Sequence, residues 1–148
     1  MTRLSAGRFL VAGGYALDGE PALQSAERLD PITASSVPTT PMLGARAAHA
    51  QIALANGKVL LAGGEGLSFP FQPLATCEIF DPATGAFTSA ANLDFPRSFA
   101  HAALLPNGRV LLTGGQGLGS DGTSVVFRAD AELYDPVGDT WTLVGSRM

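Results

Sequence analysis

The residues able to do chemistry are few, and most of them recur. Glu27, Glu78 and Glu132 appear once in each third of the chain, as do Asp30, Asp81 and Asp135, each of which precedes a proline. Paired carboxylates can do general acid–base work, but a catalytic acid is expected to break a repeat, and these follow one. They read as scaffold, the glutamates set to meet an arginine such as Arg46 or Arg97 and the aspartates to cap the Asp-Pro turns. His49 and His101 are the two histidines, Cys77 is the one cysteine, and Tyr15 and Tyr134 are the two tyrosines. No Cys/His pair stands at ligand spacing, so no metal and no cofactor is expected, and the histidines are assigned to inner-strand hydrogen bonding. Gly117-Leu118-Gly119-Ser120-Asp121-Gly122 matches a dinucleotide fingerprint. That fingerprint needs a helix to follow, whereas Thr123 to Phe127 is β-branched and extended, so the segment reads as an interstrand loop. There is no G-x-S-x-G and no recognisable Ser/His/Asp order.

The elements that must position these residues are set by a repeat. Asn107-Gly108-Arg109-Val110-Leu111-Leu112-Thr113-Gly114-Gly115 is nearly duplicated by Asn56 to Gly64, and Ala6 to Gly14 is a looser third copy. The glycine pairs begin at 13, 63 and 114, so the spacings are 50 and 51, and a period of that size marks a repeat architecture. Each Asn-Gly reads as a hairpin turn, both residues tolerating positive φ. Each Gly-Gly ends a strand where a Cβ is unwelcome. After a loop, a third strand ends at Asp-Pro, and a fourth carries Phe87 or Trp141 five residues beyond the proline; the first copy has Ser36 there. Leu43 to Ala55 could be helix by propensity, but its counterpart at 94–106 holds Pro96 and Pro106, so strand prevails. The repeats span approximately 1–42, 43–93 and 94–148, and each makes four antiparallel strands.

Composition agrees. Apolar residues make up 46% and charged residues 15%, with 18 Gly and 10 Pro, as suits many short strands joined by tight turns. The net charge of −4 without clustered Lys or Arg argues against nucleic acid as a partner. No stretch is long enough to span a membrane and the N-terminus lacks a signal-peptide core, which places the chain in the cytoplasm by default. A lone Cys77 forms no intrachain disulfide.

The order Arg, His, apolar strand, Asn-Gly, apolar strand, Gly-Gly, loop, Glu-x-(Tyr/Phe)-Asp-Pro, Trp closely resembles the Kelch repeat of β-propellers, in the form found in the central domain of galactose-oxidase-like proteins. The resemblance covers essentially the whole chain. It implies an all-β array of Kelch-type, four-stranded antiparallel blades, about three in number, where propellers typically have four to eight. Met1 aligns with Gln51, so the first blade has no counterpart of Arg46 to Ala50, and the chain reads as a half or partial propeller. Arg46 precedes His49 by three and Arg97 precedes His101 by four, so either one histidine is out of register or a strand is bulged. Galactose oxidase needs two Tyr, two His and a Cys–Tyr crosslink around copper, and that activity is rejected for these residues.

The loops after each Gly-Gly do break the repeat, at Tyr15 to Ser25, Glu65 to Ala75 and Gln116 to Arg128. Per-repeat insertions map to one face, often the binding face; their apolar residues either form a contact surface or pack on neighbouring blades. The functional expectation is a non-enzymatic module binding a protein or glycan through these loops. The alternatives are a fragment of a galactose-oxidase-like or sialic-acid-epimerase-like enzyme, or a purely structural segment. The ligand-binding candidates are Arg46, Arg97, His49 and His101 at the channel mouth, with Phe69, Phe71 and Phe127 around it. Open blade faces lead to a further expectation, a homodimer that closes a six-bladed ring.

Overall fold

The computed structural model describes residues 1–16, 21–66 and 72–144. The first sheet comprises β1 (Thr2–Arg3), β2 (Phe9–Ala12), β3 (Ala26–Asp30) and β4 (Ser35–Pro38). The second comprises β5 (Ala50–Ala53), β6 (Val59–Ala62), β7 (Cys77–Asp81) and β8 (Ala86–Ala90). The third opens with β9 (His101–Leu104) and β10 (Val110–Thr113). A separate hairpin of β11 (Gln116–Leu118) and β12 (Val125–Phe127) interrupts it before β13 (Ala131–Asp135) and β14 (Thr140–Val144) complete it. Each four-stranded sheet is an antiparallel meander whose spatial order follows the sequence. The architecture is all-β, three four-stranded antiparallel blades and one hairpin, as the repeat predicts.

The inner hairpins show how these residues choose their turn. Leu105 N–H donates to the Arg109 carbonyl (2.8 Å), Gly108 N–H to the Leu105 carbonyl (2.9 Å), and Arg109 N–H to Asn107 Oδ1 (3.1 Å). Gly57 and Gly108 both sit at φ +82°, whereas neither asparagine has a positive φ. The turn is therefore a type I turn closed by a left-handed glycine, not a two-residue turn left-handed at both positions. In the first blade Ser5–Gly7 forms a short 3-10 turn in the same place, with Ala6 at φ +60° and Leu4 N–H donating to the Arg8 carbonyl (2.7 Å). The Asp-Pro turns behave as expected: Asp30, Asp81 and Asp135 each accept, at Oδ1, the backbone N–H two residues on (2.8–3.0 Å).

Strands β6 and β10 alternate between two apolar faces, and both faces of the middle blade are covered. One core joins Leu4, Leu10, Ala12 and Ala26 of the first blade to Val59, Leu61, Phe80 and Phe87 of the second, with Met42 between. The other joins Leu60, Ala62 and Cys77 of the second to Val110, Leu112 and Tyr134 of the third. At about 25 cal/mol per Å², burying one such Leu or Phe stabilises by about 1.5–3 kcal/mol, which makes stacking the main source of order.

The Gly-Gly pairs fasten the stack. Gly14 N–H donates to the Arg46 carbonyl (3.0 Å) and Gly64 N–H to the Arg97 carbonyl (2.9 Å). A Cβ on Gly13 would stand 2.1 Å from the Arg46 oxygen, and one on Gly63 2.3 Å from that of Arg97. The chain thus passes from blade to blade through a contact only glycine allows.

Candidate binding face

Arg46 and Arg97 lie inside the blades. Arg46 is 1% exposed and donates to Glu78 Oε1 (2.6 Å), the Thr76 carbonyl (2.8 Å) and the Gly63 carbonyl (2.9 Å). Arg97 is 0% exposed and meets Glu132 Oε1 (2.6 Å), Asp130 Oδ1 (2.8 Å) and the Gly114 carbonyl (3.2 Å). Glu78 in turn accepts the N–H groups of Leu43 and Gly44, and Glu132 those of Asp94 and Phe95. These are enclosed ion pairs with nearly every donor engaged, so neither guanidinium can serve as a solvent-facing ligand donor. The expected pairing of these arginines with the recurring glutamates is present, and because both guanidiniums are buried the expectation that they bind a ligand is corrected.

The two histidines are not equivalent. β5 begins at Ala50 opposite Ala62, and β9 at His101 opposite Thr113. His101 therefore matches Ala50, and His49 matches Ala100; there is no bulge, only a different choice of position. His49 is packed, with Nε2 3.2 Å from Gln51 Oε1 and Nδ1 unpartnered. Burial holds its imidazole down at about 4, opposed by the Gln51 hydrogen bond and assisted by the nearby Arg46 charge. His101 is exposed on its strand. The two are not brought together, and among the described residues no three His, Cys, Asp or Glu side chains converge as metal ligands would. Tyr134 is buried against Trp141 and donates to Asp139 Oδ1 (2.8 Å), which burial and that carboxylate keep protonated. Cys77 is buried, its thiol pushed up to about 11 chiefly by desolvation. These residues do not fit a copper centre.

At the loop end a chain of hydrogen bonds links all three blades. The residues following the three glycine pairs are Tyr15, Glu65 and Gln116. The Tyr15 hydroxyl donates to Glu65 Oε2, the Ser98 hydroxyl donates to Glu65 Oε1 (3.1 Å), and Ser98 pairs with Gln116 through two backbone bonds (2.8 and 2.9 Å). Gln116 lies opposite Phe127 in the hairpin. Tyr15 is 47% exposed, Phe99 55% and Phe127 83%. Although the Tyr15 ring is open, its phenol is pushed up to about 12, by desolvation of the hydroxyl first and then by Glu65. Phe99 sits at φ +56° and its counterpart Ala48 at φ +50°, a left-handed step that starts each inner strand and joins blades through Phe99 N–H to the Ala48 carbonyl (2.8 Å). A bulky residue held there is strained, and here its ring faces solvent.

The segment 116–128, expected as a loop, is the β11–β12 hairpin. Asp121 Oδ1 accepts the N–H groups of Thr123 (3.0 Å) and Ser124 (2.9 Å), and Gly122 supplies φ +70°. No helix follows the glycines, as the dinucleotide reading would require. Beneath the hairpin lies a cleft of about 460 Å³ lined by Phe95, Leu118, Val126, Phe127, Arg128 and Asp130. The Arg128 guanidinium lies 4.2 Å over the Phe95 ring and pairs with Asp130. A larger cleft of about 730 Å³ at the opposite end runs between the inner turns of the second and third blades. Its polar groups Asn107 and Asp135 are occupied in their own turns.

Of the seven predicted site residues, Arg46 and Arg97 are buried, His49 is partly buried, His101 and Phe127 are exposed, and Phe69 and Phe71 lie outside the described residues. Tyr15, Glu65 and Phe99 were missed. The signal for Tyr15 and Glu65 is positional: the residue after Gly-Gly differs in every copy, while its neighbours repeat; Phe99 stands where the second copy has Ala48.

No family model and no curated protein matches the chain. Among solved structures, it resembles a novel fungal alcohol oxidase of the AA5 family, in complex with copper, with a TM-score of 0.65 at 17% identity. The match covers 94% of this chain and 28% of that one. The likeness shows the fold: the three blades correspond to part of a longer protein's β architecture. Among the described residues no helix is long and apolar enough to cross a membrane.

Proposed function

We propose that the chain is a non-enzymatic binding module built of Kelch-type repeats, which engages a protein or glycan through the loop-end surface of Tyr15, Phe99, Phe127 and the cleft beside Phe95. The observation that carries this reading is the division of labour within the repeat. Arg46 with Glu78 and Arg97 with Glu132 are committed to enclosed scaffold pairs, while the exposed aromatics stand where the copies differ. Flat rings with adjacent polar groups suit sugar faces and peptide side chains. Replacing Phe99 and Phe127 by Ser should abolish retention on glycan and peptide arrays without lowering the melting temperature. Retention unchanged by both substitutions would refute the site.

The flanking blade faces support a homodimer closing six blades. Phe9, Val11 and Leu29 in the first blade correspond to the fully covered Val59, Leu61 and Phe80 but are only partly buried. Light scattering is expected to give twice 15.2 kDa; a stable monomer at micromolar concentration would refute it. A second reading, that the chain is part of an enzyme, is favoured by its match to 28% of an oxidase. Stoichiometric copper in the purified protein would support that reading instead.

A further inference from the structure

The two blade junctions are made by the same short segment used twice, Met42 to Arg46 and Leu93 to Arg97. In each, an apolar residue stands four positions before an arginine. Its backbone is received by the preceding blade. Met42 N–H donates to the Gln24 carbonyl, Arg46 N–H to that of Leu23, and the Arg46 carbonyl accepts Gly14 N–H. Leu93 and Arg97 do the same with Ala75, Leu74 and Gly64. Its side chain is received by the blade it begins. There the guanidinium meets a glutamate, two carbonyls and a polar side chain: Glu78, Gly63, Thr76 and Thr76 Oγ1 for Arg46. For Arg97 the corresponding set is Glu132, Gly114, Asp130 and the Asp130 carboxylate. The residue after the arginine then forms a two-bond bridge to the residue after Gly-Gly, Ala47 with Glu65 and Ser98 with Gln116.

The first blade carries the same receiving groups. Glu27 occupies the position of Glu78, since it lies beside Val11 as Glu78 lies beside Leu61. Ser25 occupies that of Thr76, its carbonyl accepting Gly13 N–H as that of Thr76 accepts Gly63 N–H. Tyr15 stands where Glu65 does. Yet among the described residues the Glu27 carboxylate makes no hydrogen bond or ion pair, and Tyr15 makes no bridge of the Ala47 kind. Glu27 is partly buried, whereas Glu78 and Glu132 are 2% and 0% exposed. β1 offers only Thr2 and Arg3 opposite Leu10 and Phe9, so Val11 and Ala12 lack an inner-strand partner. The third blade presents the complementary half. Gly115 N–H has no acceptor among the described residues, and a Cβ on Gly114 would meet only the Arg128 carbonyl, at 3.7 Å.

We propose that the flank of the first blade, at Glu27, Ser25, Gly13 and Tyr15, is a docking site for one extended polypeptide segment of the form apolar–x–x–x–Arg. The arginine enters beneath Glu27 and the following residues extend the sheet along Val11 and Ala12. The carboxylate supplies charge complementarity, the carbonyls of Gly13 and Ser25 fix the fork, and the Tyr15 backbone sets the register. Two segments of this form, Met42–Arg46 and Leu93–Arg97, are already enclosed in their blades, with Arg46 at 1% and Arg97 at 0% exposure. The docked segment therefore comes from outside these two copies. This site shares only Tyr15 with the loop-end surface: it uses the Tyr15 backbone, whereas that surface uses the ring, so neither reading depends on the other.

The test is fluorescence anisotropy with a labelled peptide of residues 42–50, Met-Leu-Gly-Ala-Arg-Ala-Ala-His-Ala, added to the whole chain. Saturable one-to-one binding is expected. Arg46→Ala in the peptide and Glu27→Gln in the protein should each weaken it by about tenfold or more, the loss of one charge-assisted contact. Glu27→Gln should leave the melting temperature unchanged. As a second measurement, a chain extended ahead of Met1 by the same nine residues should melt higher than the parent, and Arg46→Ala within the extension should cancel the gain. Absence of peptide binding together with no gain from the extension overturns the proposal. So does binding that neither substitution weakens.

Discussion

Replacing Arg97 by methionine tests whether the buried arginines are structural. Methionine fills much of the volume, so the effect reports charge and hydrogen bonding more than a cavity. The side chain is 0% exposed and is held by Glu132 Oε1 at 2.6 Å and Asp130 Oδ1 at 2.8 Å. Breaking a buried pair from one side costs about 3–5 kcal/mol because the remaining charge stays enclosed. Two carboxylates are stranded here, but each keeps other partners: Glu132 the N–H groups of Asp94 and Phe95, Asp130 the Arg128 guanidinium. The same range therefore applies rather than its double. For a domain of this size about 3–5 kcal/mol corresponds to a fall of roughly 6–20 °C in melting temperature. Arg46→Met strands only Glu78 and should fall less. Scanning calorimetry measures both. Adding Glu132→Gln to Arg97→Met should recover part of the loss, since it removes an uncompensated charge. A fall under about 3 °C for Arg97→Met would refute the assignment of this pair to the scaffold. So would loss of array binding with stability intact, which would return the arginine to the ligand.

Two further predictions rest on single positions. Gly63→Ala places a Cβ 2.3 Å from the Arg97 carbonyl at φ +65°, whereas Gly57→Ala, at φ +82°, meets nothing within 4 Å. The first should prevent blade packing and yield insoluble or unfolded protein, and the second should cost about 1–2 kcal/mol in urea unfolding; equal losses would refute the junction. His49 is held at about 4 in the fold against 6.5 unfolded, so below 6.5 the unfolded chain binds the extra proton. Its contribution is complete above 6.5 and is lost as pH falls toward 4, up to about 3 kcal/mol. His49→Gln should flatten urea midpoints between pH 7.5 and 5, and an unchanged slope would refute it.

The blades were legible in the sequence because each of their determinants is local and repeated. Asn-Gly, Gly-Gly, Asp-Pro and the alternation of Val59 to Ala62 and Val110 to Thr113 specify strand, turn and strand without reference to distant residues. The weaker first copy still formed a blade, as Leu10, Ala12 and Ala26 pack on its neighbour even where Ser36 replaces the aromatic. What escaped was long-range placement. The pairing of the recurring glutamates with Arg46 and Arg97 was expected from the repeat, but nothing in the composition around either arginine shows that the pairing buries it away from a ligand. That placement is made by Glu78, which lies two strands and a loop later, and by Glu132, which lies beyond two strands and the β11–β12 hairpin. The Tyr15–Glu65–Ser98 chain escaped for the same reason, since its three members come from three different blades. The β11–β12 hairpin was hidden by Gly117, Gly119 and Gly122, whose density favours a loop until cross-strand partners are known.

The two faces of the middle blade are not interchangeable: Val59, Leu61 and Phe80 look one way, Leu60, Ala62 and Cys77 the other. The array accordingly has a direction, with a leading and a trailing side on every unit. A unit of this kind can be copied in tandem within a gene and inserted beside its parent without inventing a surface, because the trailing side of each copy already fits the leading side of the next. It cannot be inverted, and half a unit cannot be added. Growth of such a protein proceeds in steps of about 50 residues, and drift in sequence between copies is free only where neither side is touched.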